Sequence, residues 1–287
     1  MTLPIAKMRP RRADSRMFDR GGRVAPPPWR DVAREAGALV LDLARLRRRA
    51  APASLPRGDG HPVLVIPALF SSDRMTRSFR NQLAALGYRV EGWGTGINIG
   101  PTQSAWDITA ERLRAMASQT GQSVTIIGHS LGGVLARALA SERPELVRRV
   151  ITICSPFRLP TASRLEPLYR MLSPWHIDEE VLLSRIAAPP PIPTTAIYTR
   201  RDGIVAWSSC IDTPVPGREN VAIDGAHATI LGNPETIRVV VDHLTRPGSG
   251  AAPSLKPPAS FGAPEQSDII LANPLRRLDL RTREPRD

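Results

Sequence analysis

The run Gly128-His129-Ser130-Leu131-Gly132-Gly133 concentrates the chemistry of this sequence. A serine flanked two residues away on each side by glycine is a weak signal alone. Its setting strengthens it. Val124-Thr125-Ile126-Ile127 before it reads as a buried strand, and Leu131 to Leu139 after it as a helix with small residues toward a sheet. A strand that turns sharply into a helix holds the intervening serine in a strained conformation with its hydroxyl exposed at the carboxyl edge of the sheet. Gly128 and Gly132 then remove the Cβ atoms that would clash across the turn. The helix N-terminus behind Ser130 favours developing negative charge. The plain alternative is a glycine-rich turn with an inert serine.

A serine hydroxyl needs a base, and the base an orienting acid. After such an elbow the chain order is serine, acid, histidine. Asp202 follows the strand-like Thr195-Ala196-Ile197-Tyr198-Thr199 in the turn Arg201-Asp202-Gly203, and His227 lies in the loop Gly225-Ala226-His227. Their bland readings are a surface-turn aspartate and a solvated loop histidine. The competitors fit less well. The ring of His129 points away from the neighbouring hydroxyl, His176 precedes the acid, His243 sits in a helix where a surface place is expected, and His61 precedes the first strand. Asp224 is too close to His227 in sequence to converge on it easily. The oxyanion of a tetrahedral intermediate needs two N–H donors. Leu131, next to the nucleophile, should supply one and Leu69, in the loop Pro67 to Asp73, the other.

The elements that must position these groups alternate. Strands are expected at Pro62 to Pro67, Tyr88 to Trp93, Ser123 to Gly128, Arg149 to Cys154, Thr194 to Thr199 and Asn220 to Ile223. Helices are expected at Arg74 to Leu86, Ser104 to Thr120, Leu131 to Arg143 and Glu235 to Thr245. Strands alternating with helices predict an α/β domain with a mostly parallel sheet of about six strands, covered on both faces. An insertion, 158–193, interrupts the rhythm with prolines and apolar residues and reads as short helices in a cap position. It could line an apolar cleft over Ser130 or simply pack on the sheet. Phe70, Phe157, Tyr169 and Trp175 are the candidate pocket residues.

Upstream, 1–57 divides into a basic flexible arm and a helical pattern from Trp29 to Arg49. Val32, Ala36, Leu39, Val40, Leu43 and Leu46 form its apolar face. That helix either packs on the domain or lies on an anionic membrane surface. The hydrolase-like body spans 58–246, and a Pro/Gly-rich tail, 247–287, reads as disordered. Of the net charge of +12, residues 1–57 carry +9 and the body is close to neutral. All cations except Lys7 and Lys256 are arginines, which reads as codon bias rather than nucleic-acid recognition. No apolar run is long enough for a membrane span and no secretory signal is visible. These absences place the expected location in the cytoplasm, with peripheral membrane contact through the basic segment as an option. The two cysteines, Cys154 and Cys210, give no disulfide framework or metal pattern. No metal or organic cofactor is called for.

Beyond the elbow, four further segments carry a resemblance. They are Pro67-Ala68-Leu69-Phe70-Ser71-Ser72-Asp73, Gly87-Tyr88-Arg89-Val90-Glu91-Gly92-Trp93-Gly94, Ser155-Pro156-Phe157 and Asp202-Gly203-Ile204-Val205-Ala206-Trp207. With them, roughly residues 60–246 resemble the α/β-hydrolase superfamily, and more narrowly small bacterial lipase- or esterase-like hydrolases. The resemblance implies a Ser130–Asp202–His227 triad and an ester substrate. Ala68 departs from the pattern, where glycine is usual. If that position needs a positive φ, alanine costs about 1 kcal/mol or more and misplaces the oxyanion donor. The expected function is a serine hydrolase cleaving small-molecule or lipid carboxylic esters through an acyl-enzyme. The alternatives are an acyltransferase, thioesterase or amidase with the same triad, or a silent binding protein of the same fold.

Overall fold

A computed structural model describes residues 26–45, 55–158, 163–172 and 189–248. The basic arm up to residue 25, most of the 158–193 insertion with Trp175 and His176, and the tail beyond residue 248 lie outside the described residues. So does a second unit, Lys256–Asp287.

Six strands, β1 (Pro62–Ile66), β2 (Arg89–Gly92), β3 (Val124–His129), β4 (Val147–Ile153), β5 (Thr194–Tyr198) and β6 (Arg218–Ala222), form one sheet in the order β2-β1-β3-β4-β5-β6. Every neighbouring pair is parallel. Strands β1, β3 and β5 are buried along their whole length, as central strands of a parallel sheet covered on both faces must be.

Alternation sorts the side chains. Leu64, Ile66 and Ile126 face α3 (Gln103–Thr120) and α4 (Leu131–Glu142), where they meet Trp106, Leu113, Leu135 and Leu139. Val63, Val65, Ile127 and Ile151 face the other way. There they meet Phe79 and Leu83 of α2 (Asp73–Ala85) and Ile237, Val240 and Val241 of α6 (Pro234–Leu244). Each such side chain, fully buried, contributes about 1.5–3 kcal/mol.

The helix ends follow local chemistry. Thr102 caps α3 by accepting the Ala105 N–H, and Gly121 ends it at φ 64°. Asn233 caps α6 through the Glu235 N–H, with Pro234 in the first turn.

Two helices lie outside this alternation. α5 (Glu166–Leu172) is the described helix of the insertion, with Leu168 and Met171 exposed. α1 (Trp29–Arg45) packs on the body. The side chains it buries include Asp31 and Glu35, four residues apart on one face. His243 is a correction: it is buried, not on the surface, with Nδ1 against the Val239 carbonyl and Nε2 3.2 Å from Glu219. No helix among the described residues is long and apolar enough to cross a membrane.

Candidate active site

In an all-parallel sheet every strand ends on the same edge, so the loops after β1, β3, β5 and β6 share one rim. Ser130, Asp202, His227 and Leu69 belong to these loops, and Leu131 opens α4.

Ser130 stands between β3 and α4 at φ 51° and ψ −122°, a conformation that non-glycine residues rarely adopt. Its own N–H donates to the Ile153 carbonyl (2.8 Å) and its carbonyl accepts from Gly133 (3.0 Å), which holds the turn. The glycines serve close approach. A Cβ on Gly128 would overlap the Gly132 backbone, and one on Gly132 would overlap the carbonyls of Ile66 and Pro67. Gly132 thereby lets the β1 loop lie directly against the elbow. Ser155 closes the underside, its hydroxyl donating to Gly128 O and Ile153 O.

The β1 loop is ordered by a residue that no motif singles out. Asn98, fully buried, donates its side-chain amide to Pro67 O (2.7 Å). Its backbone exchanges hydrogen bonds with Phe70 N–H (2.7 Å) and Ser71 O (2.8 Å). Within this loop the left-handed residue is Phe70, at φ 58°; Ala68 is not among the positive-φ residues. The alanine therefore carries none of the strain that a glycine position would impose. Among the described residues the N–H groups of Leu69 and Leu131 have no hydrogen-bond acceptor. Both remain available as donors at the rim.

Asp202 and His227 meet. His227 Nδ1 lies 2.7 Å from Asp202 Oδ2, and both side chains are buried. The other carboxylate oxygen accepts the N–H groups of Ile204 (2.9 Å) and Val205 (2.8 Å), which fixes the acid. Asp224, the alternative acid, instead forms an exposed pair with Arg201. His129 lies behind the base. Its Nε2 is 3.1 Å from the His227 carbonyl, so as the Nε2–H tautomer it donates there. Burial, then the charge of His227, pulls its pKa down to about 3, which keeps it neutral at ordinary pH.

Burial also pulls His227 down, but the charge and hydrogen bond of Asp202, then the charge of Glu35, outweigh it. The net direction is up. Ser130 Oγ makes no hydrogen bond among the described residues; in ligand-free sites the link from nucleophile to base is often long and tightens on substrate binding.

Cys154 Sγ, an Asp202 oxygen and a His227 nitrogen lie within 4.8 Å of one another, the one convergence of ligand-type atoms among the described residues. Burial pushes the Cys154 thiol well up, and the Nδ1–Oδ2 hydrogen bond occupies the facing atoms of the other two. The set fits an acid–base pair beside a protonated thiol better than a ligand cage.

Of the pocket candidates, Phe70 is exposed at the rim and Tyr169 is half-buried on α5. Phe157 is buried with Val134 and Ala196, and the Arg137 guanidinium covers its ring at 3.9 Å. His61 sits at the opposite, amino end of the sheet against Asp59 and Thr125.

Known proteins match parts of this chain or its fold. A family model described as alpha/beta hydrolase fold matches residues 94–183, which hold the elbow but neither Asp202 nor His227. A Yersinia enterocolitica protein carrying the name carbamate hydrolase RutD is 34% identical over 87 residues, covering 28% of this chain and 31% of that one. The crystal structure of Aspergillus fumigatus lipase B superposes with a TM-score of 0.53 at 18% identity, covering 70% of this chain and 56% of that one. The chain thus spans about a third of the first relative and little over half of the second. Sheet order, elbow and matches together define an α/β-hydrolase-fold protein, with the hydrolases of that fold among those it matches.

Proposed function

We propose that this protein is a serine hydrolase of carboxylic esters, with Ser130 as nucleophile, His227 as base and Asp202 as the orienting acid. The observation that carries the reading is the buried Nδ1–Oδ2 contact of 2.7 Å beside a serine held at φ 51° on a glycine-cleared elbow.

In this mechanism Asp202 holds the proton on Nδ1, leaving the Nε2 lone pair free. Nε2 takes the hydroxyl proton as Ser130 Oγ attacks the ester carbonyl carbon. The carbonyl oxygen becomes an oxyanion and accepts from Leu131 and Leu69 N–H. Imidazolium, stabilised by Asp202, returns its proton to the departing alcohol oxygen, and the C–O bond breaks to leave an acyl-serine. Water, activated by the same nitrogen, releases the acid and restores Ser130.

The surroundings favour an apolar substrate. Phe70, Ile97, Ile99 and Ile108 are exposed. A cleft of about 130 Å³ lined by Trp93, Ile97, Ile99 and Ile108 lies beside the segment that Asn98 ties to the β1 loop.

A fluorophosphonate probe, mapped by mass spectrometry, tests the assignment without a guess at the substrate. Native protein is expected to be modified at Ser130. Heat-unfolded protein, His227→Ala and Ser130→Ala are expected to take no label there. An unlabelled Ser130 in folded protein would remove the reading. Ester chain-length profiling then defines the acyl preference.

A further inference from the structure

We propose that Glu35 is a positioning residue of this site, a carboxylate that α1 inserts between the acid loop and the base loop to hold them in register. The inference rests on the triad reading above. Glu35 is 6% exposed, although its helix lies outside the strand–helix alternation of the domain. One carboxylate oxygen accepts the N–H of Gly203 (3.1 Å) and of His227 (2.7 Å), and the other accepts the N–H of Ala228 (3.0 Å). These donors are the residue after the acid, the base itself and the residue after the base. The three donors stand 168 to 193 residues beyond Glu35 along the chain, so only the folded domain brings them to one carboxylate. Hydrogen bonds to a charged carboxylate are about twice as strong as neutral ones.

Independent features show that α1 is built against this place. A Cβ on Gly203 would overlap the Asp31 carbonyl and come within 2.7 Å of Glu35 Cγ, so the missing side chain admits the helix. At the start of α1, Arg164 of the insertion donates to the Pro27 carbonyl (3.1 Å) and lies 4.3 Å over the Trp29 ring.

The carboxylate also acts on the base. Asp202 and Glu35 are the charged groups that face His227, since His129 is neutral and the Cys154 thiol stays protonated. Glu35 therefore favours the imidazolium that forms as Ser130 attacks, while its two oxygens fix where the ring stands.

Glu35→Gln separates these effects from mere helix packing. The amide can still accept from Gly203 and His227, but its NH₂ meets the Ala228 N–H donor to donor. In the full chain, the His227 titration midpoint, read by NMR of labelled histidine, is expected to fall. The acid limb of the pH–rate profile for fluorophosphonate labelling should move the same way. The plateau rate should drop about 10- to 100-fold, as when reacting groups are misplaced by about an ångström. Glu35→Asp keeps the charge but is one methylene short. Its midpoint should stay near wild type while its plateau falls, and this variant supplies the readout if Glu35→Gln does not fold. A midpoint unchanged in Glu35→Gln, or a wild-type plateau in Glu35→Asp, overturns the proposal. Failure of the wild type to label at Ser130 counts against the hydrolase reading instead. The His227 midpoint needs no substrate and still decides on Glu35.

Discussion

Ser130 and Phe70 carry positive φ beside the two proposed oxyanion donors, at the elbow and in the β1 loop. Strain stored there is held by neighbours that over-determine it: Ile153 and Gly133 around the serine, Asn98 around the phenylalanine. Ala68, two residues before Phe70, has no positive φ and carries no such strain. Ala68→Gly is therefore expected to lower stability by about 0.4–1 kcal/mol through the looser unfolded chain, and to leave the labelling rate of Ser130 unchanged. Denaturant melts and labelling kinetics read both; a faster rate would mean that the loop needs glycine after all. At this scale the candidate site was half legible. Ser130, Asp202 and His227 could be picked out because their types follow strand ends in a fixed order. Glu35 and Asn98 could not. A glutamate in an amphipathic helix looks solvated, and only the fold reveals that three main-chain donors await it. An asparagine in a glycine-rich turn likewise gives no hint that it is fully buried.

The elements were the most legible scale. Runs such as Val63 to Ile66 can only be strands buried on both faces, and the glycines at 87 and 121 stop helices where the pattern predicts. The docking face of α1 was not legible. The body receives Asp31 and Glu35, a contact that hydropathy does not register, while the apolar side chains at 36, 39, 40 and 43 lie outside those described. A buried ion pair joins other elements. Arg137 of α4 meets Asp212, before β6, at 2.7 Å, and Thr194 of β5 donates to the same carboxylate. Both charged side chains are under 10% exposed, 5% and 7%. Asp212→Ala leaves the guanidinium uncompensated and is expected to cost about 3–5 kcal/mol in a denaturant melt. Arg137→Met with Asp212→Leu should recover most of it. A single variant as stable as wild type would show that the pair is solvated in solution.

Across the whole molecule, buried imidazoles make stability depend on pH. The pKa of His129 is depressed, as is that of His61, where burial outweighs the pull of Asp59. For both, the unfolded chain binds more protons below the ordinary value of 6.5, so their stabilisation is present above that pH and lost on acidification. His227 runs the other way: its raised pKa adds stability below 6.5 that fades as pH rises through the folded value. With His129 near 3, its loss at about pH 5 is about 2 kcal/mol. Urea melts near pH 7 and near pH 5 should show the wild type weakening and His129→Gln weakening less. Equal slopes would place His129 in contact with solvent. If His227 is the base, as proposed, the same shift predicts that the labelling rate of Ser130 falls on acidification through a midpoint above 6.5.

The clamp between α1 and the base loop has a temporal side. Glu35 leaves the ribosome 192 residues ahead of His227, about 10–40 s at ordinary rates of synthesis. Throughout that interval two of the three N–H donors to its carboxylate, those of His227 and Ala228, do not yet exist. The proposed catalytic rim is thus closed by the first of the described helices and by the loop after the last of the described strands. On the proposed mechanism, a nascent chain halted before residue 227 would already carry Ser130 on its elbow yet lack the base that activates it.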